Sequence, residues 1–155
     1  MGYRLNYGRT SPDGVLAFCE VDAYLNQSDL EETLIDLVYL RVSQLNGCAY
    51  CTDLHIRMLT KDGLNAGKLA MVQVWAFTEG LFSPKEKAAL AWAEHITLIH
   101  NATLRHEQAP NLSEFFTDKE LCDLTLAIGL MNAYNRLAVS FRNAPHAATE
   151  CQNCL

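Results

Sequence analysis

From Leu30 to Leu45 the apolar residues return at three- and four-residue steps: Leu30, Leu34, Leu37, Val38, Val42 and Leu45. That period is helical, and no comparable stretch alternates every second residue as a half-buried strand would. The same period returns in Leu121, Leu124, Ile128, Met131 and Tyr134. Helix start signals punctuate the chain. Ser11-Pro12 places proline at a first helical position. Ser28 to Glu31, Ser83 to Glu86 and Thr117 to Glu120 each set a hydroxyl three residues before a carboxylate, the capping-box pattern. Gly47, Gly63 and Gly80 stand where helices should stop. The spacing predicts helices near 12–26, 29–46, 48–62, 66–79, 84–101 and 118–142. The fold class is therefore all-α, a compact domain of about six helices. The polar segment 105–113 reads as a loop, and 146–155 as a flexible tail of a single domain spanning 1–155.

The chain's 155 residues, half of them apolar, suffice for one sizeable core. A net charge of -6 with no basic stripe argues against nucleic-acid binding. No apolar run has the length of a membrane span. The opening residues, Met1 to Asn6, lack a signal-type apolar stretch, so a reducing cytoplasm is the expected compartment. In that compartment closely spaced cysteines read as redox or metal chemistry. Four of the six cysteines form C-x-x-C pairs, Cys48/Cys51 and Cys151/Cys154. Cys19 and Cys122 stand alone in apolar helical stretches and read as small buried hydrophobes.

On a helix beginning near Gly47 or Cys48, the residues Cys48, Cys51 and His55 fall within about 60° of one another. A thiol attacks as its thiolate. The first turn of a helix offers free N–H groups, and His55, one turn beyond Cys51, can accept its proton. The second thiol can then condense with an oxidised partner to a disulfide. A zinc half-site completed by Cys151 and Cys154 is the competing reading, weakened by the long interval between the pairs. Asp36 shares a helix face with Tyr39, Leu40 and Ser43. Partial burial there calls for a partner, with His55 and Arg41 the candidates. Cys151 and Cys154 have three readings: incidental tail residues, a second redox pair, or metal ligands. Asn132, Asn135 and Arg136 read as packing or subunit contacts. His95, His100, His106 and His146 show no metal-type pairing, and Trp75 and Trp92 read as core or interface residues.

The stretch from Leu37 to Cys51, Leu-Val-Tyr-Leu-Arg-Val-Ser-Gln-Leu-Asn-Gly-Cys-Ala-Tyr-Cys, followed by His55, closely resembles the AhpD-like alkyl hydroperoxidases of the carboxymuconolactone decarboxylase superfamily. The segments Phe82 to Leu90, Trp92 to Glu94, Phe116 to Leu121 and Asn132 to Leu137 extend the resemblance over roughly 14–142. It implies a helical fold assembling as homotrimers or homohexamers. It also implies peroxide reduction by a dithiol, without a bound cofactor or metal. The implied partners are a small peroxide and an external dithiol donor of lipoyl or thioredoxin type. By position, Cys51 resembles the attacking thiol, Cys48 the resolving thiol and His55 the relay histidine. The family's relay glutamate lies twelve residues before the first cysteine, where this chain has Asp36, one methylene shorter. Tyr50 replaces a second relay histidine found in some members. The resemblance keeps other readings in view: a general disulfide reductase, a lactone decarboxylase, and a zinc-binding or redox-sensing protein.

Overall fold

The computed structural model describes residues 4–100 and 111–145. Among them every regular element is helical. The order is α1 (Tyr7–Thr10), α2 (Pro12–Leu25), α3 (Glu32–Leu45), α4 (Ala49–Lys61), α5 (Ala66–Met71), a 3-10 segment (Val72–Phe77), α6 (Pro84–Thr97) and α7 (Asp118–Ser140). No described helix is long and apolar enough to cross a membrane.

Helix α3 is the axis of the fold. From Leu34 to Leu40 every residue is buried, as are Val42 and Ser43. Its two sides serve two apolar clusters. Leu34, Ile35, Val38 and Val42 join Leu124, Ala127 and Ile128 of α7 and Ala89 and Ala93 of α6. Leu37 and Leu40 join Leu59 of α4, Leu69 and Val72. Fully burying one such side chain stabilises the fold by about 1.5–3 kcal/mol. Between these two clusters the run 34–40 is buried as a whole, and it takes the carboxylate of Asp36 inside with it.

Two of the three expected capping boxes form. The Ser83 hydroxyl accepts from the Glu86 N–H at 3.2 Å, and the Glu86 carboxylate accepts from the Ser83 N–H at 2.7 Å. Thr117 and Glu120 repeat the exchange. The box at Ser28 does not form. The Ser28 N–H donates to the Leu25 carbonyl, so Ser28 belongs to the turn leaving α2, and its hydroxyl accepts from Leu30 instead. Helix α3 therefore starts later than expected, with Glu31 at its N-cap and no side-chain cap.

Three further expectations are corrected. A short helix, α1, precedes the first expected one. The segment expected as one helix over 66–79 is α5 running into a 3-10 segment with a non-helical residue at Val74. Val72 and Val74 are β-branched and have low helix propensity. Cys19 and Cys122 are exposed, not buried. The apolar circumference of α2 and α7 is wider than the strip that one chain's core covers, so period alone overstates burial. The loop expected at 105–113 lies partly, and the tail at 146–155 wholly, outside the described residues.

Candidate active site

The turn between α3 and α4 sets the thiols in place. Gly47 has φ +66, the left-handed region in which glycine carries no side-chain penalty. Its N–H donates to the Gln44 carbonyl at 3.2 Å and the Cys48 N–H donates to the Ser43 carbonyl at 2.9 Å. This pair of bonds is the Schellman ending of α3. It delivers Cys48 directly to the N-cap of α4, where its Sγ accepts the Cys51 N–H at 3.3 Å. The two cysteines are joined as a disulfide with a Cα–Cα separation of 5.4 Å. Both are buried. The helix N-terminus thus presents an N–H to Cys48, whereas sequence reasoning assigned that help to the pair without distinguishing its members.

A polar cluster holds the turn from behind. Asn46 Nδ2 donates to Asn132 Oδ1 and Asn135 Oδ1, each at 2.9 Å. Asn135, 1% exposed, donates in turn to Ser43 Oγ at 3.1 Å. These side chains pack α7 against the segment that carries Cys48, the packing role expected for Asn132 and Asn135.

His55 lies one helical turn beyond Cys51 and is buried. Its Nδ1 is 3.0 Å from Asp36 Oδ1, with both side chains 5% exposed. The shorter aspartate therefore reaches the imidazole directly. Arg41, the other candidate partner, is engaged elsewhere: it pairs with Glu94 at 2.7 Å. Because a carboxylate can only accept, Asp36 selects the imidazole form with a proton on Nδ1. The remaining nitrogen, Nε2, is buried with no partner among the described protein atoms. An imidazole held in this way presents a lone pair for a proton.

A pocket of about 310 Å3 adjoins Cys51, His55 and Asp36. Its walls come from α1, α2, α3, α4 and α7, and Cys48 does not line it. Sequence reasoning missed Tyr7, Asp22 and Tyr134 on these walls, since no local pattern relates them to the cysteine motif. The Tyr39 hydroxyl donates to Asp22 Oδ1 at 3.1 Å, and its ring lies 5.2 Å from that of His55. Burial, the charge of Asp22 and the hydrogen bond to it, and the charge of Asp36 push the Tyr39 phenol well above its ordinary range, so it stays a donor. Burial, then Cys19 and Asp22, do the same to Tyr134. Among the described residues no group of three His, Cys, Asp or Glu could hold a metal ion. Cys151, Cys154, His106 and His146 lie outside the described residues. Trp92 and Trp75 pack against the two apolar clusters, and His95 stacks on Trp92.

The model of the carboxymuconolactone decarboxylase family matches residues 11–95, a span that includes α2, α3, the dithiol and His55. The chain belongs to this family. It is an AhpD-like member of the superfamily. The uncharacterized protein YdfG of Bacillus subtilis is 33% identical over 143 residues, covering 92% of this chain and 97% of YdfG. A solved structure of a protein of unknown function from Agrobacterium tumefaciens, tied by name to the antioxidant defence protein AhpD, is 34% identical with a TM-score of 0.85. The match covers 92% of this chain and 97% of that one. The apo debrominase Bmp8 shares the fold alone, at 18% identity and a TM-score of 0.75, over 92% of this chain and 76% of its own. This fold accordingly hosts more than one chemistry, and the site has to carry the functional argument.

Proposed function

We propose that this protein is a dithiol peroxidase in which Cys51 attacks, Cys48 resolves and His55, held by Asp36, moves the proton. The observation that carries the reading is that Cys51 lines the same pocket as an imidazole oriented by Asp36 and left with one unpartnered nitrogen. In the reduced protein, His55 Nε2 takes the Cys51 proton. The thiolate attacks the terminal oxygen of a hydroperoxide ROOH, an S–O bond forms and the O–O bond breaks. Sulfur is oxidised by two electrons to the sulfenic acid, and the departing RO⁻ takes the proton from His55 to give ROH.

Cys48 then attacks the sulfenic sulfur. The S–S bond forms, the S–O bond breaks and the hydroxide leaves as water with the Cys48 proton. Their 5.4 Å Cα separation is within the range of a disulfide in the same backbone arrangement. An external dithiol of lipoyl or thioredoxin type reduces the disulfide and is itself oxidised. Cys48 is the better leaving thiol in that exchange, since an N–H of the helix start meets its sulfur. The dithiol counts against lactone decarboxylation, which calls for acid–base groups rather than thiols.

The test is single-turnover oxidation of the reduced protein by an organic hydroperoxide, with a sulfenic-acid trap. Cys48→Ser should accumulate trapped sulfenic acid at position 51, and Cys51→Ser should consume no peroxide. Undiminished peroxide consumption by Cys51→Ser would refute the assignment.

A further inference from the structure

The charge of the pocket names the kind of peroxide it can take. Asp22 and Glu32 line it alongside Asp36, and no lysine or arginine among the described residues does. Asp36 is engaged with His55, while among the described residues the Asp22 carboxylate accepts from the neutral Tyr39 hydroxyl and meets no cation. Apart from His55, Cys51 and the amide of Asn26, the rest of the wall is apolar or aromatic, with Ile35, Leu54, Met58 and Met131 beside Tyr7 and Tyr134. The volume of about 310 Å3 is on the order of ten times the liquid share of one water molecule and sits at the small end of organic-ligand pockets.

Resting on the peroxidase reading, we propose that this pocket selects uncharged organic hydroperoxides with a compact apolar or aromatic body and turns away those bearing a carboxylate. The apolar walls recover the burial of such a body. An anionic group would sit beside the half-buried Asp22 and the exposed Glu32 with no cation among the described residues to meet it, and like charges placed together are a means of rejecting a ligand. Hydrogen peroxide fits but gains nothing from the apolar walls.

The matched pair that tests this is cumene hydroperoxide and its ring-carboxylated analogue, compared with hydrogen peroxide on the wild-type protein with one external dithiol. The expected result is a kcat/KM for the neutral compound at least about tenfold above that for the carboxylate, narrowing in Glu32→Gln and further in Glu32→Lys. Hydrogen peroxide should fall below cumene hydroperoxide. Equal turnover of the neutral and anionic compounds would overturn the charge argument, and equal or faster turnover of hydrogen peroxide would overturn the role of the apolar walls. Both results would leave the peroxidase reading standing.

A second measurement does not depend on turnover. Binding of cumyl alcohol and its ring carboxylate to Cys51→Ser, followed by chemical-shift changes at the pocket residues, should favour the neutral alcohol. If no peroxide is consumed, the peroxidase reading fails, and this preference alone decides the inference: neutral favoured supports it, no preference overturns it.

Discussion

Replacing Asp36 by asparagine isolates the role of the buried pair. The change is isosteric and removes the carboxylate that sits 3.0 Å from His55 Nδ1. An asparagine amide can donate to Nδ1, which moves the imidazole proton to Nε2 and leaves that atom with no lone pair for the Cys51 proton. The pair is 5% exposed on each side, so water is poorly placed to restore the lost form. A positioned base or acid contributes about 10²–10⁴-fold to rate. The lower end applies, because Cys51 is untouched and the isosteric change keeps the shape of the pocket wall. A hundredfold slower oxidation of Cys51 corresponds to about 2.7 kcal/mol of lost transition-state stabilisation. The assay mixes pre-reduced protein with cumene hydroperoxide in rapid quench and counts remaining thiols. Helical circular dichroism and a thiol count before mixing check fold and reduction. Asp36→Glu keeps a carboxylate while crowding a site only 4% exposed, so it should retain more activity than Asp36→Asn and melt lower than wild type. A rate for folded Asp36→Asn within about threefold of wild type would refute the relay.

Two further outcomes follow from buried polar groups on α7. Asn135→Ala removes the buried amide that joins Ser43 and Asn46, and should lower stability in urea titration by about 1–3 kcal/mol without changing the slope. For Asp123, burial pushes the carboxyl up, but hydrogen bonds from Lys119 and Tyr24 and the Lys119 charge outweigh it and hold it below its ordinary 3.8. A carboxyl depressed in the folded state stabilises above its unfolded value and loses that contribution as pH falls below about 4. The melting temperature should therefore drop less steeply between pH 5 and pH 2 in Asp123→Asn than in wild type, as calorimetry across that range would measure.

Much of the framework is legible because helices write themselves locally. The Ser83 and Thr117 caps, the stop at Gly47 and the apolar period of α3 depend on neighbours within a few positions, and each is where the residues imply. The spacing of Cys51 and His55 on one helix is local in the same sense. Local signals fail where two elements compete for the same residues. Ser28 has the chemistry of a cap but is drawn into the exit of α2, and Cys19 and Cys122 have the neighbours of core residues but lie on faces left exposed among the described residues.

Taken by itself, the sequence determined the helical class, the dithiol and the histidine one turn away, since all three are matters of spacing along the chain. Only the tertiary structure decided that Asp36, nineteen positions before His55, meets its imidazole directly while Arg41 goes to Glu94. It also decided that Cys51 lines the pocket and Cys48 does not, and that acidic and aromatic side chains from α1, α2 and α7 complete the walls. The physical reason is that these choices follow from how helices stack around α3. Stacking is settled by apolar faces summed over the whole chain, which no short stretch of residues contains.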